Sequence, residues 1–407
     1  MAHQLAGRAG RPSQEKKYRF AGRMERTPRS FIREILKVTE KPDIISFAGG
    51  LPNPDLIDAG GIAAAAENVL RSDGRRALQY ATTEGAPALR EFIADRYRKR
   101  LGIFISPDNI LITNGSQQCL DLIGKVFINP GDRVAIERPG YLGAIQAFSL
   151  YEPDFVSIPL KESGPDLEDL RRKSDAGHIP LMYGIPNSQN PSGISYDGNV
   201  RSELADILLE HGTIFVEDDA YGELTFSGKA LPPVYRYAPD QTVLTGSFSK
   251  ILSPGMRLGW ICAASEIMEK IVTAKQASDL HSNFLSQQIA ARYLMDNPID
   301  DHIRKIRKAY AGQCSCMLEA IRRELPRDTG FTRPEGGMFT WVTLPENISS
   351  MEVFDASLKE NVAVLPGIPF YVDGGGTDTL RLNFSNASEE RIRTGISRLG
   401  KVIRSLG

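Results

Sequence analysis

The chain has 407 residues, 41% of them hydrophobic and 24% charged, with 49 Lys and Arg set against 50 Asp and Glu. That is the composition of a folded globular protein long enough for two domains, which excludes a disordered chain. No apolar run approaches the roughly 20 residues of a membrane span, and a formal net charge of −1 gives no reason to expect a nucleic acid or other polyanion as partner.

Residues 1–28 read as an N-terminal arm. Its opening, MAHQLAGRAGRPSQEKKYRF, lacks the apolar stretch of a secretory signal. Its basic content also suits an organelle transit peptide, but a flexible arm is the simpler reading. The spacing of Phe31, Ile32, Ile35 and Leu36 predicts an amphipathic helix over 29–40. DIISFAGGLPNP (43–54) follows as a short apolar strand punctuated by Gly and Pro.

From residue 60 to about 300, helical stretches (61–71, 87–100, 117–127, 200–211) alternate with short apolar runs. The runs are NILIT, RVAIE, PLMYGIP, TIFVEDD, TVLTGS and LGWICA. Continuous apolar strands of this length predict a mostly parallel sheet covered by helices on both faces. Ligands of such sheets sit at the carboxyl ends of the strands. The unusual residues collect at those ends: Asn114 to Ser116, Asn187 to Gly193, Asp218 to Tyr221, and Ser247 to Lys250. After residue 301 a long charged helix (299–324), RPEGGMFTWVTLP, VAVLPG and TLRLNFS read as a smaller α+β domain, to which residues 29–59 also belong.

There is no GxGxxG after a strand, no GxxxxGK[ST] and no HExxH. Five histidines at no metal spacing and four cysteines without a CxxC pair give no metal site, and reduced thiols fit a cytoplasmic compartment. Asn114-Gly115-Ser116-Gln117 joins a strand to a helix, whose free N–H groups suit an anion; taken alone, these residues read more simply as an ordinary junction with Ser116 as N-cap. Lys250, seven residues before Arg257, is placed as a nucleophilic amine near a phosphate would be; a solvated surface lysine is the ordinary alternative, though the apolar setting argues against full exposure. Glu217-Asp218-Asp219 end an apolar strand, which is costly unless a cation lies nearby; a helix-capping cluster is the alternative. Arg381 sits between Leu380 and Leu382, placed either for an ion pair or for a carboxylate.

Order and spacing together make the sequence similar to fold type I pyridoxal-phosphate enzymes. The resemblance is strongest to the branch of 2-aminoadipate aminotransferases and kynurenine aminotransferase II-like proteins. It rests on IREILK, SFAGGLPNP, LQYATTEG, TNGSQQCLDL, ERPGYLGA, PNSQNPSG, VEDDAYGEL, GSFSKILSPGMRLGW, RPEGGMF and LRLNFS, from about residue 29 onward. The resemblance implies that Lys250 holds pyridoxal 5'-phosphate as a Schiff base and that Asp218 keeps the ring nitrogen protonated. Asn190 and Tyr221 match the donors to the 3'-oxygen, and Tyr141 the ring-stacking aromatic. Ser116, Gln117, Ser247, Ser249 and Arg257 match the phosphate cup, and Tyr80 matches a residue reaching the phosphate of the other subunit, which implies a homodimer. Arg381 matches the binder of the substrate α-carboxylate, with Gly50 and Asn190 beside it, and Arg33 matches an arginine that meets a distal carboxylate. The implied activity is transfer of an amino group from 2-aminoadipate, an aromatic or a branched-chain amino acid to 2-oxoglutarate by a ping-pong cycle. A lyase or decarboxylase on the same scaffold is the alternative. The branch also resembles the effector domain of bacterial regulators, but the residues before the match show no helix-turn-helix pattern.

Overall fold

A computed structural model describes residues 18–26 and 43–407. The predicted helix at 29–40, with Arg33, and most of the arm lie outside the described residues. A short helix, α1 (Gly22–Arg26), precedes the body of the fold. The main sheet has eight strands in the order β2-β9-β8-β7-β6-β3-β4-β5. They are β2 (Ile110–Thr113), β3 (Arg133–Arg138), β4 (Asp154–Lys161), β5 (Gly164–Pro165), β6 (Leu181–Gly184), β7 (Ile214–Asp218), β8 (Thr242–Ser247) and β9 (Gly259–Cys262). β8, β7, β6, β3 and β4 pair in parallel, whereas β9 runs antiparallel to both β8 and β2.

Successive side chains point to opposite faces of a strand, and here both faces are covered. Ala135, Met182 and Phe215 join one core with Leu204 and Leu208 of the helix Gly198–His211. Val134, Ile136, Leu181, Tyr183 and Val216 join the other, with Leu120 and Ile123 of the helix Ser116–Phe127. This two-sided burial is why the strands read as unbroken apolar runs.

A second sheet of four strands has the order β10-β11-β14-β13, formed by β10 (Gly330–Phe331), β11 (Phe339–Thr343), β13 (Leu365–Pro366) and β14 (Thr379–Asn383). The long helix Ile299–Glu324 and the last helix, Glu389–Leu406, pack on each other beside it. Ser388 caps the last helix by accepting from Arg391 N, and Glu389 and Glu390 complement the positive end of its dipole. The predicted strand at 43–54 contracts to β1 (Ile45–Ser46), which pairs in parallel with β12 (Val362–Ala363). The segment after β1 is thereby drawn across the carboxyl ends of the main sheet. Among the described residues no helix is long and apolar enough to cross a membrane.

Candidate active site

β9 returns beside β8 instead of crossing over it, so the 248–258 connection stays at the carboxyl end of β8. That one loop carries both Lys250 and Arg257. Lys250 Nζ donates to the Gly50 carbonyl at 2.9 Å. Burial, and then the Arg381 and Arg257 cations, push the Lys250 amine down to about 8, against the opposing pull of Asp218.

Arg257 adopts a left-handed backbone (φ 53), a conformation costing a non-glycine residue on the order of 1 kcal/mol. Its guanidinium lies against the turn after β2. A Cβ on Gly115 would stand 2.7 Å from Arg257 Nη2, and the φ of +76 there disfavours any side chain. On the other side, a Cβ on Gly259 would meet Gly115 C at 2.8 Å and Ser116 N at 2.9 Å. Two glycines thus let the arginine and the β9 backbone close around the start of the helix Ser116–Phe127. The N-cap of that helix is Gly115, not Ser116 as the sequence suggested. Ser116 is instead the first helical residue, at the positive end of the dipole. Gln117 Nε2 donates to the Gly143 carbonyl at 3.0 Å, and Ser247 Oγ accepts from Ser249 N at 3.1 Å.

The three acids at the end of β7 separate in direction. Glu217 turns away from the cavity, accepts from Val234 N at 3.1 Å and Tyr235 N at 2.9 Å, and is pushed up to about 7 by burial. Asp219 accepts from Asn187 Nδ2 at 2.7 Å. Asp218 is 3% exposed. Its Oδ2 accepts from Tyr183 OH at 2.8 Å, while its buried Oδ1 has no hydrogen-bond partner among the described residues. Burial is the main cause that pushes Asp218 up to about 6, with the Asp219 charge adding to it and the Tyr183 hydroxyl opposing. No helix directly follows β7, so these acids are not a capping cluster.

Arg381 projects from the middle of β14, opposite Trp341, and is 2% exposed. Nη1 donates to Asn190 Oδ1 at 2.9 Å and Nη2 to the Ala48 carbonyl at 2.6 Å. Nε has no partner. The guanidinium stands 4.4 Å from the Phe339 ring centre and 5.4 Å from that of Phe370. Burial pulls it down to about 10, so it stays charged at neutral pH. Tyr221 meets Phe339 edge-on at 6.1 Å, and Tyr141 stacks at 6.4 Å on Tyr183.

A cavity of about 230 Å³ is lined by Gly50, Ser116, Gln117, Tyr141, Asn190, Asp218, Tyr221, Ser247, Ser249, Lys250, Arg257 and Arg381. All of these were singled out from sequence. Ile185, Ala220, Pro254 and Phe339 complete the wall and were not; Phe339 carries only the signal of an apolar strand residue. Tyr80 lies elsewhere: it is 80% exposed and packs edge-on against His281 at 5.8 Å.

The family profile described as aminotransferase class I and II matches residues 53–399. The chain belongs to the class I and II aminotransferases. It is 42% identical to a 2-aminoadipate transaminase of Thermus thermophilus, over 95% of this chain and 96% of that protein. It is also 42% identical to an aromatic-amino-acid aminotransferase of Thermococcus litoralis, over 92% and 91%. A solved structure of the α-aminoadipate aminotransferase of Thermus thermophilus, in complex with N-(5'-phosphopyridoxyl)-L-leucine, superposes with a TM-score of 0.89 at 41% identity, covering 95% of this chain and 97% of that one.

This aminotransferase is therefore a pyridoxal-phosphate enzyme with the fold type I architecture, and its cavity suits the cofactor chemically. The orphaned Asp218 Oδ1 offers a buried acceptor to a pyridinium N–H. The cradle at Gly115, which a Cβ would fill, leaves room for an anion between a helix N-terminus and Arg257. The Lys250 amine, with its lowered proton affinity, is suited to attack an aldehyde.

Proposed function

We propose that the enzyme transfers the amino group of 2-aminoadipate, an aromatic or a branched-chain amino acid to 2-oxoglutarate in a ping-pong cycle. The observation that carries this reading is the convergence of the Lys250 amine, the unpartnered Asp218 Oδ1 and the buried Arg381 on one cavity. The substrate range is supported by the names of the two relatives and by the leucine adduct of the solved neighbour.

The cofactor, when bound, supplies an aldehyde and a ring that accepts electrons. Ser116, Gln117, Ser247, Ser249 and Arg257 would hold its phosphate, and Tyr141 its ring face. Asn190 and Tyr221 would donate to its 3'-oxygen. Asp218 would hold a proton on the ring nitrogen, and the positive charge so maintained would make the ring an acceptor. Arg381 binds and orients the α-carboxylate of each substrate through its fork of N–H groups. With one cavity serving donor and acceptor in turn, the first product leaves before the second substrate binds. Lys250 Nζ removes the proton from the donor Cα as general base and, in the second half of the cycle, delivers a proton to the acceptor Cα as general acid. The Gly50 carbonyl keeps this amine aimed into the cavity until substrate displaces it. Tyr80, exposed and remote from its own cavity, reaches the phosphate site of a second copy in a homodimer. Arg33 meets the distal carboxylate of aminoadipate or glutamate.

A panel of amino donors against 2-oxoglutarate, read as kcat/KM with product identification, tests the proposal. Parallel double-reciprocal lines and a new amino acid are expected. Pyruvate with ammonia would point to a lyase, and intersecting lines would exclude the ping-pong cycle.

A further inference from the structure

The turn Asn114-Gly115-Ser116 is held from behind by side chains that the reaction does not touch. Lys275, near the end of the helix Ser265–Ser278, is 0% exposed. Its Nζ donates to Gln118 Oε1 at 2.9 Å and to Asp279 Oδ1 at 2.9 Å. Through Oδ2, Asp279 accepts from Asn114 Nδ2 at 2.6 Å and from Gln118 Nε2 at 2.7 Å. Gln118 Oε1 also accepts the backbone N–H of Asn114 at 2.8 Å. Asn114 Oδ1 takes the Asn283 N–H at 3.4 Å.

A Lys–Asp pair spaced (i,i+4) on a helix ordinarily lies in water and contributes little. Here the lysine has lost its water while Asp279 keeps part of its own, and the hydrogen bonds of Asp279 end on the residue preceding the anion cradle. Burying a lysine is costly unless a counter-charge and acceptors replace its hydration. Asp279 and Gln118 do so, and each also grips Asn114.

We infer that Lys275 and Asp279 are positioning residues for the phosphate of the cofactor. The pair fixes Asn114, which sets the N–H groups opening the helix Ser116–Phe127 against the Arg257 guanidinium, itself in tight contact with Gly115. Because Lys275 and Asp279 cancel in charge, they order the turn without opposing an anion in front of it. Loss of Lys275 both frees the turn and leaves a bare carboxylate behind it. This inference rests on the reading of the turn as the phosphate site.

The test uses full-length protein, stripped of cofactor and titrated with pyridoxal phosphate and, separately, with pyridoxal. The ratio of the two affinities reads the grip on phosphate alone, and a general loss of structure lowers both affinities together. Lys275→Met should lower the ratio about tenfold, the scale of one lost hydrogen bond to a charged group. Adding Asp279→Asn should restore part of it. Asn114→Ala, a milder change that keeps the test open if Lys275→Met does not fold, should lower the ratio similarly. The Asn114→Ala, Lys275→Met double variant should lose little more than either single one, because both act through one link. An unchanged ratio in folded Lys275→Met or in Asn114→Ala overturns the inference. Arg257→Ala separates the two readings: if it leaves the ratio untouched, the phosphate site itself is misassigned. If it lowers the ratio while Lys275→Met and Asn114→Ala do not, only the positioning role fails.

Discussion

The proton affinity of Lys250 can be probed before any substrate is added. At about 8, against an ordinary 10.5, this amine is neutral at pH 7 in about one molecule in eleven; an unperturbed lysine is neutral in about one in three thousand. The site therefore gains roughly 300-fold in nucleophile at neutral pH relative to an exposed lysine. The assay is stopped-flow absorbance on mixing stripped protein with pyridoxal phosphate across a pH series, normalised to a model amine. The capture rate should climb tenfold per pH unit at low pH and level off above about 8. Arg381→Met removes one of the two cations that depress the value. The plateau should then move to higher pH and capture at pH 7 should slow. Because the folded value lies below the unfolded one, the same group costs the stripped protein stability below about 8, and this cost fades as pH rises towards 10.5. A wild-type rate still climbing tenfold per unit beyond pH 9, or a plateau moved to lower pH in Arg381→Met, would refute the argument.

Lys250→Ala should abolish transamination together with the absorbance of lysine-bound cofactor, and borohydride should then trap nothing on the chain. Asp218→Ala should lower kcat by several orders of magnitude, on the order of the 3–5 kcal/mol set by breaking a buried ion pair, with circular dichroism unchanged; near-normal turnover would remove Asp218 from the mechanism. Gly115→Ala places a methyl 2.7 Å from Arg257 Nη2 at a φ of +76. It should weaken pyridoxal phosphate binding at least about tenfold through a displaced guanidinium and about 1–3 kcal/mol of strain, measured by equilibrium titration. If two copies share their sites through Tyr80, mixing inactive Lys250→Ala with weakened Tyr80→Ala subunits should regenerate activity after subunit exchange, and no recovery would count against the shared site.

The strands Ile110–Thr113 and Thr242–Ser247 were legible because double-sided burial leaves no charged side chain inside them. β4 was not. Only Ile158 of its eight residues is fully buried, and Pro159 breaks the pattern. The reversal of β9 was equally invisible, because an apolar run specifies burial and carries no direction. The cavity residues stood out as polar or basic residues at the ends of apolar runs, where an isolated charge demands a reason. Lys275 did not, since an (i,i+4) Lys–Asp pair in a helical stretch reads as a solvated face; its amine is held by Gln118, 157 positions away in sequence. Ser116 and Gly115 exchanged roles at the helix start because a positive φ is a property of the turn that residue preference alone does not fix.

The hydrogen bond from Arg381 to the Ala48 carbonyl spans 333 positions of sequence. A ribosome delivers Ala48 long before the arginine. β14 must then form before that guanidinium has anything to hold. On the proposed role of Arg381, nascent chains stalled upstream of it would carry the lysine and the anion cradle yet hold no substrate carboxylate.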